Sequence, residues 1–203
     1  MKKLASVIII MTALAACSGP AYQVETPEVS DEKGEAAGVA GGLASLTCVS
    51  CHGAEGMSGN EDWPNLAGQQ HGYLVKQITD FRDGGRHDPW MSPIARRLSD
   101  EDIAALADYF NALPPTIHET DWPIALPEAA EACMACHGES GLAENDMWPN
   151  LAGQNRQYLA KQLRLFRDGV RSHEAMMPLV EAMSNDVIEG LADYFSSLKS
   201  RSG

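Results

Sequence analysis

The chain has 203 residues, 44% of them hydrophobic and 6% aromatic, and a formal net charge of −13. That acidity excludes nucleic-acid binding through phosphate contacts, and the absence of alternating strand patterns points away from sheet folds and toward an all-α architecture. The cysteine count of five is odd, so any pairing leaves one over.

Lys2 and Lys3 precede an apolar run from Leu4 to Ala16, the layout of a secretory signal peptide and too short to span a bilayer comfortably. The run ends in Leu14-Ala15-Ala16-Cys17-Ser18, which resembles the lipobox of bacterial lipoproteins. The resemblance implies a signal peptide over 1–16, lipidation of Cys17 as the first mature residue, and a membrane anchor, the Ser after the cysteine favouring the outer membrane over the inner. The other readings are an ordinary cleaved signal and an uncleaved anchor. Removing 1–16 takes away two lysines and brings the formal charge to −15. The remainder of 17–38 is rich in Glu, Pro, Ser and Gly with almost nothing to bury, so it reads as a disordered acidic tether or as a spacer with no task. The acidity is spread along the chain, as a solvated surface or as steering toward a basic docking patch.

Residues 39–113 form the first folded unit. Leu43, Leu46 and Thr47 lead into Cys48-Val49-Ser50-Cys51-His52, and the pattern returns as Cys133-Met134-Ala135-Cys136-His137. C-x-x-C-H is the c-type haem attachment pattern. Thiols at i and i+3 face the same way from one helical turn and can both add to the vinyl groups of one porphyrin, while His at i+4 reaches its iron. Half of a zinc site and a redox dithiol are the other uses of such spacing. Sliding the chain by 85 residues aligns Cys48–Phe110 with Cys133–Phe195 at 31 of 63 identical positions without a gap, an internal duplication. His71 then faces Arg156, His87 faces Ser172, His173 faces Asp88, and His118 falls in the linker. Only His52 and His137 are shared.

Glycines 53, 56 and 59 mark a loop, followed by Trp63-Pro64-Asn65-Leu66-Ala67-Gly68-Gln69, repeated unchanged as residues 148–154. Seven identical residues in a non-helical stretch indicate a loop fixed by its contacts. Trp63 and Trp148 either donate to a propionate or pack on the porphyrin. Tyr73, Leu74, Gln77, Ile78 and Phe81, matched by Tyr158, Leu159, Gln162, Leu163 and Phe166, have the spacing of an amphipathic helix and read as core. Arg86 and Arg171 follow, for a propionate salt bridge or a solvated surface. The next loops read Met91-Ser92-Pro93 and Met176-Met177-Pro178, with Met91 and Met176 in register, each 39 residues after a haem histidine. A thioether opposite histidine is the ligand set of electron-carrying haems, although most methionines fill core gaps and a one-residue slip would exchange Met176 for Met177. Each unit closes with a helix, capped by Ser99 with Asp102 and by Ser184, and ending in L-A-D-Y-F. A proline-rich linker over 114–126 separates the second unit, 127–200.

With these motifs, the whole region from about Val39 to Leu198 resembles the dihaem cytochromes of the cytochrome c4 type. The resemblance implies two tandem class I cytochrome c domains, each carrying one covalently bound haem c. Cys48, Cys51, His52 and Met91 would serve the first haem, and Cys133, Cys136, His137 and Met176 the second. His52 with Met91, and His137 with Met176, would be the iron ligands, with no catalytic residue. It further implies that the Pro64 and Pro149 carbonyls orient the two histidines, and that the haems face each other across a pseudo-twofold junction. The implied role is a periplasmic carrier passing single electrons from the respiratory chain toward a terminal haem-copper oxidase. The alternative is the cytochrome subunit of a larger oxidoreductase, such as a flavoprotein sulfide dehydrogenase. A self-sufficient dihaem peroxidase or thiosulfate oxidase would need an iron with an open position.

Overall fold

The computed structural model describes residues 41–44, 46–114 and 127–198. The expected signal peptide, Cys17, the tether and linker residues 115–126 lie outside them. Among the described residues every regular element is a helix, and none is long and apolar enough to cross a membrane. The fold is all-α.

In the first unit a helical stretch at 41–44 and 46–47 turns at Cys48 into α1 (Val49–His52), followed by α2 (His71–Asp83), α3 (Met91–Ala95) and α4 (Asp100–Ala112). The second unit repeats the order with α5 (Ala130–His137), α6 (Arg156–Arg167), α7 (Met176–Val180) and α8 (Asn185–Ser197). Within each unit the long middle helix packs on the closing helix and on the short one: α2 on α4 and α3, α6 on α8 and α7. Two separate cores result. The first gathers Ala44, Leu74, Leu106, Ala107 and Phe110, the second Ala130, Leu159, Ala160, Ile188, Leu191 and Phe195. Ala44 and Ala130 are fully buried, and their small side chains let the leading helix of each unit lie against its L-A-D-Y-F helix. Cys48 and Cys133 pack against these clusters, so the attachment turns are built onto the cores.

The methionines expected in loops instead open short helices. Pro93 and Pro178 are third in α3 and α7, where a missing N–H costs nothing because the first four N–H groups of a helix have no intrahelical acceptor.

Ser99 and Asp102 form the expected reciprocal cap: Asp102 N donates to Ser99 Oγ at 3.1 Å and Ser99 N to Asp102 Oδ2 at 3.0 Å. At Ser184 only half survives, Val187 N donating to Ser184 Oγ at 3.3 Å, because valine replaces the aspartate. Ser99→Ala should therefore cost about 1 kcal/mol of stability in chemical denaturation. Ser184→Ala, losing the longer single bond, should cost less.

Candidate haem sites

Cys48, Cys51, Cys133 and Cys136 are free and half-buried. In the first turn Cys51 N and His52 N donate to the Cys48 carbonyl at 3.1 and 2.9 Å, which stacks both thiols and the imidazole along one helical turn. Burial pushes the Cys48 thiol up to about 11, with Cys51 adding to the rise, and burial likewise raises Cys133. The rise at the first cysteine of each motif runs opposite to the lowered thiol pKa of a redox dithiol. No group of three or more His, Cys, Asp or Glu is assembled as a metal cage among the described residues, so the zinc reading lacks its further ligands.

His52 is 6% exposed, and its Nδ1–H donates to the Pro64 carbonyl at 2.9 Å; His137, 7% exposed, donates likewise to Pro149 at 2.8 Å. The other ring nitrogen of each, Nε2, has no protein partner among the described residues. Burial lowers the pKa of both, outweighing the proline carbonyl that opposes it in each case. Each site thus offers a buried neutral imidazole of fixed tautomer with a free Nε2 lone pair beside two thiols, a donor set that fits haem c.

The loop carrying each proline is held down twice. Leu66 N and Ala67 N donate to the Gly56 carbonyl at 2.7 and 3.1 Å, and Gly68 N donates to Phe110 O at 2.9 Å. Leu151, Ala152 and Gly153 repeat those bonds to Gly141 and Phe195. Ser58 N donates to Asn65 Oδ1 at 2.9 Å, and Ala143 N to Asn150 Oδ1 at 2.9 Å. The W-P-N-L-A-G-Q identity therefore reflects one set of internal bonds used twice.

Met91 and Met176 each take the first position of a short helix and are half-buried. Ser172 Oγ donates to Met177 Sδ at 3.6 Å, and Met177 sits at the register position of the buried Ser92, whose Oγ accepts from Asp88 N at 3.1 Å. His173, set aside as a ligand, is exposed, and its carbonyl accepts from both Met176 N and Met177 N, so its backbone shapes the methionine turn.

The two units meet about a pseudo-twofold axis. Asn65 N donates to Gln154 Oε1 at 2.8 Å and Gln154 Nε2 to Asn65 O at 2.9 Å; Asn150 N and Gln69 answer with 2.7 and 3.0 Å. Tyr73 N donates to Asp146 O and Tyr158 N to Glu61 O, both at 2.9 Å. Beneath these lies a polar cluster. Gln77 Oε1 accepts from Arg86 Nη1 and Arg171 Nη2, both at 2.7 Å. Gln162 Oε1 accepts from Arg171 Nη1 at 2.7 Å and Arg86 Nη2 at 2.8 Å. Arg86 also reaches the Tyr158 hydroxyl, Arg171 the Tyr73 hydroxyl, and each guanidinium lies 4.4 Å over Phe81 or Phe166. Gln77 and Gln162 are buried, as their periodicity requires, yet they serve the junction rather than an apolar core. Among the described residues neither Arg86 nor Arg171 pairs with a carboxylate within 4.0 Å. Sequence reasoning missed the junction role of these glutamines and of Asn65, Gln69, Asn150 and Gln154. The available signal was polar residues kept identical in both repeats at positions that become buried.

Comparison with known proteins agrees with this geometry. The cytochrome c family matches residues 41–114. The chain is 37% identical over 176 residues to the thiosulfate dehydrogenase electron acceptor of Stutzerimonas stutzeri, covering 76% of this chain and 80% of that protein. It is 34% identical over 175 residues to cytochrome c4 of Pseudomonas aeruginosa, covering 78% and 87%. The solved cytochrome c4 of Acidithiobacillus ferrooxidans superposes with a TM-score of 0.67 at 32% identity, over 76% of this chain and 99% of that one. With two covalently bound haem c groups and the role of an electron carrier, the chain belongs to the cytochrome c4 family.

Proposed function

We propose that this protein is a periplasmic dihaem carrier, tethered to the membrane through a lipidated Cys17, which passes single electrons toward a terminal haem-copper oxidase. Thioether bonds to Cys48 and Cys51 hold the first haem, with His52 and Met91 on its iron. Cys133 and Cys136 hold the second, with His137 and Met176. The observation that carries the reading is the pair of buried histidines, each with Nδ1 fixed by a proline carbonyl and Nε2 left free beside two thiols. Bound haem supplies a one-electron iron couple, and the chain keeps it low-reactivity by offering two protein ligands per iron. The paired Arg86 and Arg171 supply positive charge at the junction that suits the haem propionates. A lipid anchor of several acyl chains, at about 0.8 kcal/mol per buried CH₂, would hold the protein firmly. Cys17→Ser should release it from the membrane fraction; normal processing and retention of that variant would remove the anchor.

Ligation by Met176 rather than Met177 follows from register: Met91 and Met176 both open their short helices, and Met177 takes the place of Ser92. Met176→Ala should abolish the far-red iron–sulfur charge-transfer band of the second haem and lower its potential. Met177→Ala should leave the band in place, and the reverse pattern would put the register off by one.

A second reading is favoured by the likeness to the thiosulfate dehydrogenase electron acceptor: the electrons enter from a sulfur-compound dehydrogenase rather than from the respiratory chain. Rapid-mixing reduction of the oxidised protein by a thiosulfate dehydrogenase, compared with reduction by a respiratory quinol-oxidising complex, separates the two donors.

A further inference from the structure

The Pro64 carbonyl and the Asn65 N–H belong to one peptide group, rigid and planar, and that group is engaged from both sides. Its oxygen accepts from His52 Nδ1 at 2.9 Å, and its N–H donates at 2.8 Å to Oε1 of Gln154, a residue of the other unit. The second site mirrors it: Pro149 O accepts from His137 at 2.8 Å, and Asn150 N donates to Gln69 Oε1 at 2.7 Å. Both glutamines are held in place by their own Nε2 donations, to Asn65 O and Asn150 O. Gln69 and Gln154 are each 6% exposed, and Asn65 is 7% exposed. Hydrogen bonds in series polarise one another, and away from water the effect is larger. An acceptor on the peptide N–H therefore increases the negative charge on that peptide's oxygen. The oxygen then pulls harder on the imidazole proton, and Nε2 becomes a stronger donor.

We propose that Gln154 tunes the potential of the first haem and Gln69 that of the second, each across the domain junction through a single peptide group. The proposal rests on His52 and His137 being the axial ligands. A stronger imidazole donor favours ferric iron, so each glutamine holds the potential of the other unit's haem down, and removing it raises that potential. The duplication that gave both repeats the same loop thereby couples each ligand field to the partner unit. Docking of the two units becomes part of setting both potentials.

The test uses the full holoprotein, wild type, Gln154→Leu and Gln69→Leu. Redox titration follows each haem, and NMR of the reduced protein follows each histidine Nδ1–H. Gln154→Leu should raise the first haem's potential and shift the His52 Nδ1–H resonance upfield, leaving the second haem and His137 unchanged. Gln69→Leu should do the reverse. The expected shift is several-fold in the reduced-to-oxidised ratio, below the tenfold that equals about 59 mV for a one-electron couple. Gln154→Met and Gln69→Met keep more of the side-chain length and take over if leucine loosens the junction. Tyr73→Phe removes a cross-domain bond from Arg171 without touching either peptide, and it should move neither resonance. Equal shifts at both haems, a shift at the haem of the glutamine's own unit, or no shift at all overturns the proposal while leaving the ligands in place. A wild-type protein without histidine-ligated low-spin spectra sinks the ligand assignment, and the proposal with it.

Discussion

Gly53→Ala is expected to abolish stable haem attachment at the first site while the second haem is kept. Gly53 has φ 80° and ψ 153°, a region that essentially only glycine occupies, at a cost of about 1–3 kcal/mol for any other residue. An added Cβ would also lie 1.9 Å from the Met57 carbonyl oxygen, backbone that cannot rotate away, adding roughly 1–3 kcal/mol of overpacking. The turn would have to open just where His52 and the Pro64 loop converge. Gly138, with a Cβ 2.0 Å from Leu142 O, should behave identically at the second site. Gly84→Ala is the control: it has φ 89°, but nothing lies within 4 Å, so only the left-handed backbone penalty of about 1–2 kcal/mol remains. Mass spectrometry of the denatured protein should show one haem for Gly53→Ala and two for Gly84→Ala.

Gln77→Leu should uncouple the two domains. Its single amide oxygen accepts from a guanidinium of each unit, so leucine strips one bond from Arg86 and one from Arg171 in a buried place. Each donor left unsatisfied costs about 1–3 kcal/mol, and two like charges lose the oxygen between them. Denaturant unfolding should lose several kcal/mol and separate into two transitions with smaller slopes. Lys76→Gln, one residue away, breaks only the half-exposed pair with Asp80 at 2.5 Å and should change stability by less than about 1 kcal/mol.

The contrast between Gln77 and its neighbours shows what was legible in the sequence. The duplication, the C-x-x-C-H turns, the shared histidines and the helical order could all be read, because each rests on spacing within one repeat. The proline carbonyls came only with the family resemblance, and the structure places both within 2.9 Å of their histidines. Helical periodicity put Gln77 and Gln162 on the buried face correctly. It could not reveal that their partners lie 94 and 76 residues away in the opposite unit, since no local pattern encodes contact between domains. The same holds for Asn65 with Gln154, at a separation of 89 residues. Met91 was read into a loop, whereas a proline in a first helical turn is compatible with the short helix found there.

The reading of this chain as a carrier requires both irons to have two protein ligands, and carbon monoxide tests that directly. Added at neutral pH to the fully reduced protein, it should leave the haem spectra unchanged, because the proposed pairs His52 with Met91 and His137 with Met176 would leave neither iron an open position. Rapid and complete conversion of either haem to a carbon monoxide adduct would contradict it, and would give that site the open position that an enzyme needs.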